Sequence, residues 1–292
     1  MTSDSPKKRK NRPFRRHRVP GEGVWANHYI RETEHYVLEG YFYTTRRLMI
    51  TFEHASENPN RGDVFRYGWG SKRFRAQRMS HLCVKPKSSD WYRNPDLAEA
   101  LGSLRDSGLF DQFETIVTYG GSMGGFAALA YADLVKATTV LALNPQTTLD
   151  LSKVPWEDRF QEAQLQDWSG PYSDAVGLSS NAQKVLCVYD PFTRKDAMHI
   201  ARLSQPNLVH VRAPFLGHGI AQPLADVGAL WRLVTWAKSD EIDLPEFRKV
   251  IRARKDLPRY LELLTRQPRV QNSPLFTRIV MDAMQKLPQD EP

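Results

Sequence analysis

The feature that most constrains this chain is the stretch GGSMGG at positions 120–125, in which four glycines surround a single serine. A β-branched, apolar run, TIVTY, precedes the stretch, and an alanine-rich run with helix composition, FAALAYADLVKA, follows it. Glycine is used where the backbone turns sharply or approaches another group closely, because it has no Cβ. The pattern therefore predicts a tight strand-to-helix turn, which suits a nucleotide loop or a turn that presents a nucleophile.

Both common nucleotide loops lack a required residue here. A Walker A loop needs a lysine directly after its last glycine, and Phe126 follows Gly125 instead. A dinucleotide fingerprint with Gly121 and Gly124 as its second and third glycines needs a first glycine at position 119, which is Tyr119. What remains is the G-x-S-x-G pattern centred on Ser122, in the strand–turn–helix setting of a nucleophile elbow.

The rest of the chain alternates between apolar, β-branched runs and helix-like segments. Strand-like runs lie at 34–43, 46–53, 79–86, 113–120, 138–145, 184–190 and 207–214. Helical patterns lie at 95–107, 126–137, 196–205, 221–239, 245–266 and 274–286. This alternation predicts an α/β fold with a mostly parallel central sheet and helices on both faces.

With its YGGSMGGFAAL stretch and the alternation from about residue 48 to 238, the chain resembles the α/β-hydrolase superfamily. The resemblance extends to bacterial members linked to surface-glycan and capsule biosynthesis. It implies a catalytic triad in the chain order Ser, then Asp or Glu, then His.

The candidate triad residues follow from that order. Ser122 is the nucleophile, and His218, in a glycine-flanked loop after the last strand, is the base. Asp190, at the end of KVLCVYD, is the preferred acid. Asp196 is the alternative acid, although with Thr193 it also resembles a capping box that uses Asp in place of Glu.

The same resemblance implies an oxyanion hole with two backbone donors. One is the N–H of Met123, the residue after the nucleophile. The other comes from the loop after the run at 46–53, where the backbone near His54 is the candidate. That loop lacks the glycine-rich signature of many lipases and esterases.

The chain divides into three predicted parts. Residues 1–19 hold eight basic residues against one acidic residue, which accounts for seven of the net eight positive charges, and are predicted to be a disordered tail. Residues 20–240 are the α/β domain, within which 145–183 is either a cap or lid, or a packed insertion. Residues 241–292 form a helical C-terminal appendage.

The composition and the cysteine spacing bear on the cellular location of the protein and on its need for a cofactor. No apolar run approaches the roughly 20 residues of a membrane span, and the tail lacks the apolar segment of a secretory signal. Cys83 and Cys187 lie in apolar strand runs without CxxC spacing, which favours free buried thiols, a reducing compartment and a cytoplasmic location. No metal-ligand spacing is present, so neither metal nor cofactor is expected. The tail is suited to weak contact with nucleic acid or anionic lipid.

These features predict a serine hydrolase that acts on a small-molecule or glycan ester, or a thioester, through an acyl-enzyme on Ser122. Two alternatives stay open: an acyltransferase that passes the acyl group to a glycan, and a non-catalytic binding module that uses the basic tail. The oligomeric state is open as well.

Overall fold

A nine-stranded sheet forms the centre of the molecule in the computed structural model, which describes residues 15–18, 25–239 and 242–287. In chain order the strands are β1 (Arg15–Arg18), β2 (Trp25–Glu32), β3 (Tyr36–Phe42), β4 (Arg47–Phe52), β5 (Ser80–Pro86), β6 (Thr115–Gly121), β7 (Thr139–Leu143), β8 (Lys184–Tyr189) and β9 (Leu208–Arg212).

The strands lie in the order β1-β2-β3-β5-β4-β6-β7-β8-β9. The six strands β4 to β9 are parallel to one another, while β1, β2 and β3 form an antiparallel edge. Parallel strands bring their carboxyl ends to one edge of the sheet, which is where sites form in such folds. Because β6 lies near the centre of the sheet, Ser122, which directly follows its carboxyl end, lies in the middle of that edge.

Helices cover both faces of the sheet. The α-helices are α1 (Ser71–Ala76), α2 (Pro95–Asp106), α3 (Met123–Ala130), α4 (Gln161–Gln164), α5 (Arg194–Ala201), α6 (Ala221–Asp226), α7 (Ala229–Ala237), α8 (Leu244–Val250), α9 (Pro258–Thr265), α10 (Pro268–Gln271) and α11 (Pro274–Gln285). Side chains of α2 and α3 pack into one buried cluster, and those of α1, α6, α7 and α8 into a second. The predicted α/β fold, with a mostly parallel sheet between two helical layers, is confirmed.

Two details of the sequence prediction need correction. The predicted helix over 221–239 is two helices, α6 and α7, separated at Gly228, whose φ of 71° is readily adopted only by glycine. The predicted disordered tail overlaps β1, which pairs antiparallel with β2. The bonds of a strand pair are made by the backbone, so a basic segment can form them without burying apolar side chains. The remainder of 1–19 lies outside the described residues, as does any contact it makes with nucleic acid or lipid.

The insertion at 145–183 is packed against the core rather than set apart from it. Leu149, Ala163 and Trp168 are buried in the same cluster as α2 and α3. Arg93, which is not part of the insertion, stabilises it by donating hydrogen bonds to its backbone carbonyls, among them those of Asp167 and Ser169 at 3.0 Å each. Its description as a cap or lid stays a prediction.

The helices of 242–287 contact the main domain. Phe247 and Ile251 are buried in the cluster that contains α6 and α7. Farther along, Tyr260 and Leu261 pack with Phe215, in the loop after β9. This C-terminal segment is therefore joined to the loop that carries His218.

Cys83 and Cys187 are free and buried, as predicted. Burial raises the pKa of each thiol to about 12, so both are protonated at neutral pH. Within the described parts of the chain, no helix is both long and apolar enough to cross a membrane.

Candidate active site

Ser122 lies in a strained turn between β6 and α3. Its φ of 52° is in the left-handed region, which a residue with a side chain rarely adopts. The turn is held by two backbone bonds, from Ser122 N to Leu143 O at 2.8 Å and from Phe126 N to Ser122 O at 2.9 Å. Strain of this kind persists only where the surroundings enforce it, and it is concentrated at functional sites.

The neighbouring glycines permit this turn. A Cβ at Gly120 would lie 2.1 Å from the carbonyl oxygen of Gly124, and a Cβ at Gly124 would lie 2.1 Å from that of Phe52. Gly125 is close to β7 in the same way, since a Cβ there would lie 3.0 Å from the carbonyl oxygen of Leu143. Strand and helix therefore approach so closely that only glycine fits between them, as the elbow interpretation requires.

We expect Gly124→Ala to destabilise the protein by about 4 kcal/mol or more, because the new methyl group would collide with backbone on β4 that has little freedom to move. Urea unfolding followed by circular dichroism measures the change. Gly102→Ala is the matched control. Outside its own helix backbone, nothing lies within 4 Å of its Cβ position in α2, and alanine there should add about 0.5–1 kcal/mol of stability. Equal destabilisation by both changes would contradict the close-packed turn.

His218 reaches Ser122 from the loop after β9. Its Nε2 lies 2.9 Å from Ser122 Oγ, within hydrogen-bond distance. The backbone of the loop is fixed by Asn144, whose side-chain Nδ2 donates to the carbonyl oxygen of His218. The ring of Phe160, from the insertion, lies 5.8 Å from the imidazole between ring centroids. The predicted serine and histidine are thus in contact.

The flanking glycines of this loop leave space for Arg259 of α9. Cβ atoms at Gly217 and Gly219 would each lie 3.3 Å from Arg259 Nη2. The guanidinium also donates from Nε to the carbonyl oxygen of Leu216 at 3.3 Å. The C-terminal segment therefore contacts the histidine loop on both sides of His218.

Asp190 was preferred over Asp196 as the acid that contacts His218, but in the structure Asp196 makes this contact. Both oxygens of Asp196 lie against His218 Nδ1, at 3.0 and 2.9 Å, and the carboxylate is fully buried. Asp190 instead accepts hydrogen bonds from the backbone N–H groups of Phe192, at 2.9 Å, and Gly217, at 2.8 Å. Its oxygens are occupied in shaping the loop, which keeps them from the imidazole.

The capping-box interpretation of Asp196 is also not supported. Thr193 is the N-cap residue of α5, but its side chain makes no capping hydrogen bond. Asp196, in the first turn of the same helix, directs its carboxylate to His218 and to Arg159. The residue that looked like a helix cap in the sequence is the carboxylate that contacts the imidazole.

Both candidate oxyanion donors lie near Ser122. Met123 is the first residue of α3, and the first N–H groups of a helix have no acceptor within it. His54 and Ala55 line the same pocket as Ser122. Their loop is held by Arg61, which donates from Nη2 to the carbonyl oxygen of His54 at 2.8 Å.

One polar side chain beside Ser122 was not predicted from the sequence. Gln146, fully buried just after β7, has Oε1 at 3.4 Å from Ser122 Oγ. Its Nε2 has no hydrogen-bond partner among the described residues. A polar residue after the carboxyl end of a strand adjacent to β6 was the available signal, since such residues face the same edge of the sheet.

A pocket of about 480 Å³ opens above the serine. Its walls combine apolar side chains with the polar groups of the site; they include Trp69, Leu143, Phe160, Ile220, Gln222 and Leu230. Mostly apolar pockets with a few convergent polar groups are typical of sites for small organic ligands.

Taken together, the elbow at the end of a central parallel strand and the chain order Ser122, Asp196, His218 have the arrangement of the α/β-hydrolase fold. The resemblance noted in the sequence is confirmed at the level of fold. The class of site is a serine–histidine–aspartate constellation beside a pocket.

No model of a known protein family matches the sequence, and neither does any functionally curated protein. Solved structures with a similar fold include a fluorophosphonate-binding serine hydrolase of Staphylococcus aureus, with 17% identity over 77% of this chain and 97% of that one, and a TM-score of 0.46. The carboxylesterase Cest-2923 of Lactobacillus plantarum has 12% identity over 73% of this chain and 95% of its own, with a TM-score of 0.47. A capsule O-acetyltransferase of Neisseria meningitidis has 11% identity over 80% and 97%, with a TM-score of 0.45. These are remote likenesses of overall fold.

Proposed function

We propose that this protein is a serine hydrolase that cleaves an ester or thioester through a covalent acyl-enzyme on Ser122. The observation that carries the proposal is the unbroken hydrogen-bonded line from Ser122 Oγ to His218 Nε2, at 2.9 Å, and from His218 Nδ1 to Asp196, at 2.9 Å. A strained turn holds the serine at the wall of a pocket, which is a costly arrangement for an idle residue.

In the first step Ser122 Oγ attacks the carbonyl carbon of the substrate while His218 Nε2 takes the hydroxyl proton. The imidazole becomes a cation, and the buried Asp196 carboxylate stabilises it through Nδ1–H. The bond to the leaving group then breaks, and His218 returns the proton to the leaving oxygen or sulfur. The acyl group stays on Ser122 as an ester.

Negative charge develops on the carbonyl oxygen during this attack. The N–H of Met123 and a backbone N–H near His54 are the proposed donors to it, and the N-terminal end of α3 adds the positive end of the helix dipole. The bond from Arg61 to the carbonyl oxygen of His54 fixes the backbone of the second donor loop. Fixed donors stabilise the oxyanion without having to reorganise during the reaction.

In the second step a water molecule attacks the acyl-enzyme, with His218 again taking and returning a proton. The carboxylic acid is released and Ser122 is regenerated. If a sugar hydroxyl replaces the water, the same acyl-enzyme yields a glycan ester. Incubation with an activated acetyl ester and a mixture of sugars separates the two reactions, since transfer gives an acetylated sugar and hydrolysis gives acetate.

The proposal is tested by reacting the folded protein with a fluorophosphonate and locating the adduct by peptide mass spectrometry. We expect one adduct per chain, on the peptide that contains Ser122, because only an activated serine reacts readily with this electrophile. Heat-unfolded protein is the control and should stay unmodified. An adduct on another serine, or none on folded protein that also fails to cleave small acetyl esters, would refute the proposed function.

A further inference from the structure

Two carboxylates and one arginine lie behind the imidazole of His218. Arg159, from the insertion, donates from Nη1 to Asp196 Oδ1 at 2.8 Å. The other side of the guanidinium faces Glu157, with Nε at 2.9 Å from Oε1 and Nη2 at 2.6 Å from Oε2. The side chains of Glu157 and Asp196 are fully buried, and that of Arg159 is 24% exposed. We call these three residues the charge cluster.

Glu157 has a further partner in His199. Thr147 donates its backbone N–H to His199 Nδ1 at 3.2 Å, so Nδ1 is the acceptor nitrogen and the ring proton is on Nε2. That Nε2–H faces Glu157 Oε2 at 3.1 Å. Burial lowers the pKa of His199, which keeps the ring neutral, so it adds a hydrogen bond but no charge.

Glu157 is ionised despite its burial. Burial by itself raises the pKa of a carboxyl group, but the hydrogen bonds from His199 and Arg159 outweigh it and hold the pKa of Glu157 far below its usual range. Two buried carboxylates and one guanidinium therefore leave the charge cluster with one net negative charge. Arg259 and Asp190 also face the His218 loop, each through the backbone of that loop and with opposite charges. Without Arg159 the net charge of the charge cluster itself would double beside His218.

A doubled negative charge would draw a proton onto the imidazole and remove the base that the reaction needs. We propose that Arg159 is a positioning residue for the reaction proposed above, which holds the Asp196 carboxylate against His218 Nδ1 and offsets one of the two buried negative charges behind the imidazole. Glu157 shares the guanidinium of Arg159 with Asp196, so Arg159 neutralises Asp196 only in part. Asp196 therefore keeps enough negative charge to stabilise the imidazolium when it forms. This inference rests on the proposed function only for its catalytic consequence.

The first test is the pH dependence of kcat/KM in Arg159→Gln, which keeps hydrogen-bonding groups and loses the charge. We expect the midpoint of the acid-side limb to move up by about one pH unit, as for removal of a nearby cation at intermediate dielectric. Arg159→Lys, which keeps the charge, should move it by less than half as much. An unmoved midpoint in Arg159→Gln would overturn the proposal.

Glu157→Gln is a second variant, for which the expected shift of the acid-side midpoint has the opposite sign. Removing this carboxylate leaves Arg159 to neutralise Asp196 more completely, so the midpoint should move down. Arg93→Gln is the matched control, because Arg93 fastens the same insertion through carbonyl oxygens and contacts neither carboxylate. Its midpoint should match that of the wild type. The same displacement in Arg93→Gln as in Arg159→Gln would mean that loosening of the insertion, rather than charge, is responsible.

A readout without turnover separates this inference from the proposed function. The protonation of His218 is followed by NMR of protein labelled with ¹⁵N-histidine, with its signal identified by its loss in His218→Gln. The midpoint of this titration should move up in Arg159→Gln and down in Glu157→Gln. If these midpoints move but the wild type neither cleaves esters nor reacts with the probe, the charge cluster stands and the proposed function fails. If Ser122 is reactive and the midpoints stay fixed, the reverse holds.

Discussion

Replacing Ser122 with alanine is expected to lower kcat/KM for p-nitrophenyl acetate by at least about 10⁴-fold. The substitution removes the atom that is proposed to form the covalent bond to the acyl group, while the pocket and the proposed oxyanion donors stay in place. The residual rate should be that of water attacking a bound ester. Initial rates over a range of substrate concentrations measure the loss, and circular dichroism verifies that the variant is folded.

The protein contains its own matched control for this change. Ser71 Oγ lies 3.1 Å from His81 Nε2, a second serine–histidine pair within the chain. Its histidine faces a backbone carbonyl, that of Met79 at 2.8 Å, where the proposed triad has a carboxylate, and burial lowers the pKa of His81 to about 4. Both side chains are buried and therefore out of reach of a substrate. Ser71→Ala should for this reason keep wild-type activity. Activity in Ser122→Ala above a tenth of the wild-type value would contradict Ser122 as the nucleophile.

Asp196→Asn is expected to lower kcat by about 10³–10⁴-fold with little change in KM. An amide N–H in place of the carboxylate opposes the Nδ1–H of His218, so the ring changes tautomer and can no longer accept the proton of Ser122 at Nε2. The lost negative charge also leaves the imidazolium unsupported. Steady-state kinetics at pH 8 measures both parameters.

Asp190→Asn is the paired variant and should lower kcat by less than about tenfold. Asn can still accept one of the two backbone hydrogen bonds that Asp190 receives, from Phe192 or Gly217, so the loop should keep its shape. The difference between the two variants separates a carboxylate that acts on the imidazole from one that shapes the backbone. A larger loss in Asp190→Asn than in Asp196→Asn would reverse the assignment.

The elbow and its position in the fold were predictable from the sequence because they depend on local rules. Glycines at 120 and 124 are required by contacts with backbone atoms, and such contacts exclude every other residue type. The central parallel strands β4, β6, β7 and β8 are buried and mostly apolar along nearly their whole length because both faces of the sheet are covered. His218 was recognisable because only one histidine follows the last parallel strand and precedes the next helix.

The rest of the site depends on contacts that sequence position does not encode. Asp190 and Asp196 lie only six residues apart in the sequence. Asp190 accepts a hydrogen bond from the backbone N–H of Gly217, which leaves Asp196 to contact His218, and the sequence does not indicate this difference. The charge cluster brings together residues of the insertion and of α5, and nothing in either segment alone indicates that Glu157 and Arg159 lie against Asp196. Strand β2, WANHYIRE, was missed because polar residues interrupt its apolar pattern.

The slot that Arg259 fills beside Gly217 and Gly219 links the far end of the chain to the centre of the molecule. A recombinant core ended near residue 240 would keep every strand of the sheet and all the proposed triad side chains, yet it would lack the guanidinium that packs against the histidine loop. An early stop codon in this region of the reading frame is therefore expected to weaken the hold on His218 and also to remove Phe247 and Ile251 from the buried cluster of α6 and α7. The C-terminal helices are in this sense a working part of the site.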